Sequence, residues 1–266
     1  MTTIISVKFR PSGKRYYFSP GELSIKTGDH VIVETARGIE YGQVVVDEAQ
    51  DFGEALYYYM HRLMKNCYFT IMGDVSQNIN YEMGMNDWDA MTKEIFNTPR
   101  DEFQTLQKSY RNTIEISDFA ANILEKASGS RYRIDPVIRH GDKVDLLPLK
   151  KEEMLPCAAK LIREAKQKGH RSFALVCRSA KEAEHVEESL LAMGLDYMDD
   201  PDFQLMVLPI EMVKGLEFDV VLLWEPSQKN YPDDPKNAKL LYVAVTRALH
   251  ELHLLSDSGW TALIRK

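Results

Sequence analysis

From residue 44 onwards, short runs of β-branched and aromatic residues alternate with stretches whose apolar positions recur at helix spacing. Val44-Val45-Val46, Cys67 to Met72 and Ser172 to Cys177 read as buried strands. Ala55-Leu56-Tyr59-Met60-Leu63, Ile114 to Lys126, Glu152 to Lys168, Ala180 to Met193 and Lys239 to Ala248 read as helices with one apolar face laid on a sheet. Gly169 and Gly194 stop two of these helices, and Ser128-Gly129-Ser130 stops a third. Phe103 to Leu106 and Val144 to Leu147 are shorter strands, and His250 to Leu255 alternates like a closing strand at a sheet edge. Strand and helix succeed each other in units of roughly 30 residues, which predicts an α/β fold with a parallel sheet.

Residues 1–46 have a different grain. Thr3 to Phe9 and Arg15 to Phe18 flank the turn-rich Pro11-Ser12-Gly13-Lys14 and predict a hairpin. His30 to Glu34 is a further strand, turned back at Arg37-Gly38 into Glu40 to Val46. The unit contains no helical pattern. Its stretch Gly28-Asp29-His30-Val31-Ile32-Val33-Glu34-Thr35-Ala36-Arg37-Gly38-Ile39-Glu40-Tyr41-Gly42 resembles the opening of the YaaT-type sporulation proteins. A generic β-meander explains the same residues, and no activity is inferred from them.

The tips of the later strands carry the chemistry. Val44 to Val46 runs into Asp47-Glu48-Ala49-Gln50-Asp51, where one acid can hold Mg²⁺ and the next can polarise a water, or the acids simply cap the following helix. The strand at Cys67 to Met72 ends in Gly73-Asp74-Val75-Ser76-Gln77-Asn78, whose polar groups can reach a phosphate or cap a loop. Tyr110-Arg111 offers an aromatic face for a purine beside a guanidinium for a phosphate. Gly215 lets backbone approach phosphate, Glu217 can accept from a ribose hydroxyl, and Arg247 can project towards a nucleotide. Trp88 reads as a partly buried anchor. His250 and His253 have no clear third ligand beside them, so a strand explains them better than zinc.

Composition trims the alternatives. With 44% hydrophobic and 27% charged residues, the 266-residue chain can build a sizeable core in one or two domains. Lys+Arg 33 against Asp+Glu 40 leaves a net charge of −7, so any nucleic-acid contact must lie in a local groove. The three cysteines, Cys67, Cys157 and Cys177, form no CxxC pair and read as reduced thiols. Neither a membrane-length apolar run nor a signal-peptide core is present, which predicts a cytoplasmic protein.

Taken in order, Asp47-Glu48-Ala49-Gln50-Asp51, Gly73-Asp74 with Gln77, Ser109-Tyr110-Arg111-Asn112, Lys214-Gly215-Leu216-Glu217-Phe218, and Tyr242-Val243-Ala244 with Thr246-Arg247-Ala248 resemble the superfamily 1 helicases of the UvrD/Rep type. The flavour is that of the HelD-type motor, which acts on bacterial RNA polymerase. The resemblance implies two RecA-like, P-loop-NTPase-type domains that couple ATP hydrolysis to movement on single-stranded nucleic acid, with ATP and Mg²⁺ as cofactors. It implies that Asp47 holds Mg²⁺, Glu48 positions the hydrolytic water, and Gln50 and Gln77 contact the γ-phosphate or relay its state. Tyr110 would stack on adenine, Arg111 and Arg247 would serve as arginine fingers, and Gly215 and Glu217 would touch phosphate and ribose.

The departures are as informative. No Gly-x-x-x-x-Gly-Lys-Ser/Thr run occurs, and the Gly13-Lys14 pair is followed by Arg15 and preceded by no cradle. Pro209 and Glu211 stand where the family often has Thr-x-His, and Ala180 to Val207 is too short for the large accessory domain of UvrD-type enzymes. The expected organisation is a β-unit over 1–43, a remnant of a first motor domain over 44–112 and a second motor domain over 113–266, with the N-terminal hairpin covering the truncated sheet. The expected function is the C-terminal motor portion of an ATP-dependent helicase or translocase, inactive alone. The alternatives are a non-enzymatic module docking on RNA polymerase or another partner, and a half-motor completed by a separate phosphate-loop chain.

Overall fold

The computed structural model describes residues 5–8, 15–18, 24–25, 31, 33–35, 38–40, 44–64, 68–106, 108–128, 135–136, 139–195 and 200–264. The chain divides into two units, Met1–Phe103 and Gln104–Lys266.

In the first unit, β1 (Ile5–Lys8) pairs antiparallel with β2 (Arg15–Phe18), the hairpin that the sequence predicts. β3 (Val33–Thr35) pairs antiparallel with β4 (Gly38–Glu40). The turn residues of both pairs, and the side chains on which a cover over the sheet would depend, lie outside the described residues. Of the strand expected from Glu40 to Val46, residues 41–43 lie outside the described residues. After β4, β5 (Val44–Val46) starts a separate ladder, parallel to β6 (Phe69–Ile71), with Val44↔Phe69 and Val46↔Ile71 in register. The two ladders, β3 with β4 and β5 with β6, are separate among the described residues.

Between β5 and β6 runs α1 (Glu54–Leu63), in which only Tyr57 is buried among the described residues. Its hydroxyl donates to the Ala49 carbonyl at 2.6 Å. The predicted apolar stripe at Leu56, Tyr59 and Leu63 stays exposed, because two short strands offer too little surface to cover it. Met85, Trp88, Met91 and Ile95 are buried, and the Phe96 ring packs edge-on against His61 at 5.0 Å and tilted against Phe69 at 5.3 Å.

The second unit has the expected parallel α/β architecture. Phe103 to Leu106 forms no strand; β7 (Lys108–Ser109) follows it and pairs parallel with β8 (Asp135–Pro136), and α2 (Ile114–Ser128) lies between. Then come β9 (Asp145–Pro148), α3 (Lys151–Gln167), β10 (Ser172–Cys177), α4 (Ala180–Ala192), β11 (Gln204–Pro209), β12 (Phe218–Trp224), α5 (Pro235–Val245) and β13 (Ala248–Ser256). Five of these strands form one sheet in the order β11-β10-β12-β13-β9, every neighbouring pair parallel. Alternate residues send Phe173, Leu175, Val220 and Leu222 to one face, against Ala158 and Ile162 of α3 and Val186 and Leu190 of α4. Helices α2 and α5 pack together, and both contact β13.

Two expectations change here. β13 is not an edge strand but lies between β12 and β9, and its buried Glu251 and His253 are met by Lys168, His170 and Asp145. Helix α5 begins at Pro235, behind the Asp234 cap that accepts from the Asn237 N–H at 2.8 Å, and ends at Val245, three residues before Ala248. Its end is closed by the Thr246 hydroxyl, which donates back to the Tyr242 carbonyl at 2.8 Å. The return from β11 to β12 is only residues 210–217, short against the dozen or so residues usual for a parallel crossover. This forces the Lys214-Gly215-Leu216-Glu217 segment to deliver the chain directly to the start of β12.

Candidate functional site

In the first unit the polar residues meet at the carboxyl ends of a parallel strand pair, the usual place for ligand chemistry in such sheets. Asp47 and Glu48 are exposed there. Asp47 Oδ1 accepts from the Glu48 N–H at 2.8 Å, and Glu48 adopts a left-handed φ of 51°, a conformation costly for a side chain of this size. Gln50 is fully buried and joins the two tips. Its Nε2 donates to Glu48 Oε2, and its Oε1 accepts from the Asp74 N–H at 2.9 Å. Gln77 Nε2 donates to Asp74 Oδ2 at 2.8 Å, so Glu48, Gln50, Asp74 and Gln77 form one chain of hydrogen bonds.

Glycine at 73 is a spatial necessity. A Cβ there would lie 2.4 Å from Gln50 Oε1 and 2.9 Å from the Ala49 nitrogen. Gly73→Ala is therefore expected to expel the Gln50 side chain and lower the melting temperature of the first unit by several degrees, at a cost of about 1–3 kcal/mol. Calorimetry of the full chain checks this; an unchanged thermogram would count against the Gln50 bridge.

In the second unit the singled-out residues gather at the turn before β12. Gly215 has φ 77°, and no heavy atom lies within 4 Å of where a Cβ would be. Arg111 Nε lies 2.6 Å from Glu217 Oε1. Arg247 is 1% exposed; its Nε donates to the Val243 carbonyl at 3.0 Å and its Nη1 to the Leu216 carbonyl at 3.3 Å. The two guanidiniums thus grip consecutive residues of one turn. Tyr110, next to Arg111, is largely exposed.

Two residues with no assigned part hold this arrangement. Buried Asn112 donates through Nδ2 to the carbonyls of Thr246 (2.9 Å) and Ala248 (2.6 Å), on either side of Arg247. Arg139 donates through Nη2 to the carbonyls of Arg111 (2.6 Å) and Leu249 (2.5 Å). The sequence signal for Asn112 is its place directly after Tyr110-Arg111. For Arg139 there is none, because a guanidinium bound to main-chain carbonyls leaves no pattern in its neighbours.

At the carboxyl ends of β10 and β11 lies a polar depression of ≈ 670 Å³, lined by Arg178, Ser179, Glu211, Lys229, Asn230 and Asn237 among others. Arg178 Nη1 is 2.7 Å from Glu211 Oε1, so the residue at the Thr-x-His histidine place holds an arginine. Among the described residues no group of three or more His, Cys, Asp or Glu side chains is arranged to hold a metal ion by itself. Asp47 and Glu48 still fit Mg²⁺, which takes one or two carboxylates and fills its remaining positions with water and phosphate oxygens.

Residues 204–255, from the start of β11 to Leu255 near the end of β13, match the model of the UvrD-like helicase C-terminal domain family. Over that segment the resemblance to UvrD-type helicases is borne out. The chain is also similar to the Stage 0 sporulation protein YaaT of Bacillus subtilis (strain 168), 50% identical over 50 residues. Those residues are 19% of this chain and 18% of that protein, so the chain spans less than a fifth of the curated relative's length. Among solved structures it is similar to the C-terminal domain of a possible DNA helicase from Lactobacillus plantarum WCFS1, at 26% identity and a TM-score of 0.47, covering 59% of this chain and 92% of that one. No helix among the described residues is long and apolar enough to cross a membrane.

Proposed function

We propose that the chain is the C-terminal motor portion of a superfamily 1, UvrD/HelD-like ATP-dependent DNA helicase or translocase of the cytoplasm, catalytically silent by itself. Residues 1–43 would be an appended β-unit, 44–112 the remnant of a first RecA-like domain and 113–266 the second. The observation that carries this reading is the convergence of Arg111, Glu217 and Arg247 on the 215–217 turn, inside and beside the segment that matches the helicase family. In the first unit, Asp47 would hold Mg²⁺, which supplies charge neutralisation at the phosphates. Glu48 would orient a water, with Gln50 and Gln77 fixing its carboxylate through Asp74. In the second, Tyr110 would stack on the base, Arg111 would face phosphate charge, and Gly215 and Glu217 would meet phosphate and ribose; Arg247, the other expected arginine finger, is buried on the Val243 and Leu216 carbonyls and would position the turn instead. Single-stranded nucleic acid or RNA polymerase would be the macromolecular partner.

A phosphate loop supplies both the backbone nest and the lysine that bind the triphosphate, and this sequence has neither. Purified chain with Mg²⁺ and ATP should therefore release phosphate at the background rate, and Glu48→Gln should change nothing. Turnover that Glu48→Gln abolishes would overturn the silent-motor reading.

A half-motor completed by a separate chain is favoured by one further observation. Val45 is 48% exposed in a parallel pair that, among the described residues, has two strands, whereas parallel strands are ordinarily covered on both faces.

A further inference from the structure

The turn before β12 is a cationic spot in an acidic chain. Arg111, Lys214 and Arg247 lie on or against residues 214–217, and Glu217 is the acid among them. Arg247 is committed to main-chain carbonyls. Arg111 is different, since its side chain is 38% exposed and meets the 44% exposed Glu217 through Nε, one of the five N–H donors of the fork. Beside the pair, Gly215 leaves the turn open.

We propose that Glu217 is a resident anion that occupies Arg111 until a polyphosphate displaces it, making the Arg111–Glu217 pair an exchangeable latch. The inference rests on the nucleotide reading of this turn given above. A solvent-exposed ion pair is worth little, so the exchange is inexpensive. A guanidinium binds phosphate through parallel hydrogen bonds and prefers it to a single carboxylate oxygen. The displaced carboxylate would repel the newcomer unless it receives a hydrogen-bond donor of its own. A ligand with both a polyphosphate and a neighbouring hydroxyl satisfies the two partners at once, whereas bare polyphosphate satisfies Arg111 alone.

Calorimetric titration of the full chain with inorganic tripolyphosphate, and separately with ATP, tests this. Glu217→Gln removes the competing charge while keeping the shape. It should bind tripolyphosphate about three- to ten-fold tighter than the wild type at low salt, a difference that vanishes near 0.5 M salt. Glu217→Ala should behave alike, Arg111→Gln with Glu217→Gln should lose the gain, and ATP should gain less than tripolyphosphate. Tripolyphosphate binding that is unchanged or weaker in Glu217→Gln, or absent from both proteins, overturns the latch. If tripolyphosphate tightens while ATP binds neither protein, the latch stands and the nucleotide reading falls.

Discussion

Asn112→Ala is expected to destabilise the second unit by about 2–4 kcal/mol and to lower its melting temperature by about 5–15 °C. The side chain is 5% exposed, and its one amide nitrogen serves two carbonyls, those of Thr246 and Ala248. Alanine leaves both facing a space too confined for easy hydration, and each unsatisfied acceptor costs about 1–3 kcal/mol. The consequence extends beyond stability, because Arg247 sits between the two carbonyls and enters β13 from that turn. Asn112→Asp, nearly the same shape, should be worse, since it puts a carboxylate against two carbonyl oxygens. Urea unfolding of the three proteins decides the matter, and a loss under about 0.5 kcal/mol for alanine would mean that the clamp is dispensable.

Glu251→Gln is expected to cost about 2–4 kcal/mol at neutral pH, less than for a wholly buried pair because Lys168 is half exposed. Glu251 lies within β13 and is contacted by Lys168 Nζ at 2.8 and 2.9 Å and by His170 Nε2 at 2.9 Å. His253, two residues on, approaches it at 3.3 Å and reaches Asp145 Oδ2 at 2.9 Å across the β13–β9 ladder. Burial alone would raise the pKa of Glu251, but hydrogen bonds from Lys168 and His170 outweigh it and hold the carboxyl below its ordinary value of 4.5. A depressed folded-state pKa stabilises the protein above the unfolded-state value, and the benefit disappears as pH falls through the folded one. The stability gap between wild type and Glu251→Gln should thus be widest above pH 4.5 and close below it. Chemical denaturation at a series of pH values measures this, and a gap that stays constant into acid would show that packing, not charge, is what the substitution removes.

The network also explains how a strand with an edge-like pattern sits inside the sheet. His250, Glu251 and His253 alternate with Leu252 and Leu254 as the residues of an edge strand would, yet β13 is flanked on both sides. Polar residues tolerate an interior position when neighbouring elements bring counter-charges; Lys168 and His170 come from the turn between α3 and β10, and Asp145 comes from β9. Such partners are remote in sequence, 81 to 108 positions away, so no local window contains them.

Sequence alone determined the parallel α/β class, the helix stops at Gly169 and Gly194, and the identity of the blocks that contain Asp47-Glu48, Arg111, Glu217 and Arg247. These follow from local rules: side-chain period, backbone freedom of glycine, and the chemistry that a carboxylate or guanidinium brings wherever it is placed. Tertiary structure decided that Gln50 bridges two strand tips, that Asn112 and Arg139 brace the arginines, that Glu217 already holds Arg111, and that α1 leaves its apolar stripe uncovered. Each of those depends on which distant main-chain groups or surfaces come within reach, and hydrogen bonds and burial are properties of three-dimensional neighbours rather than of spacing along the chain.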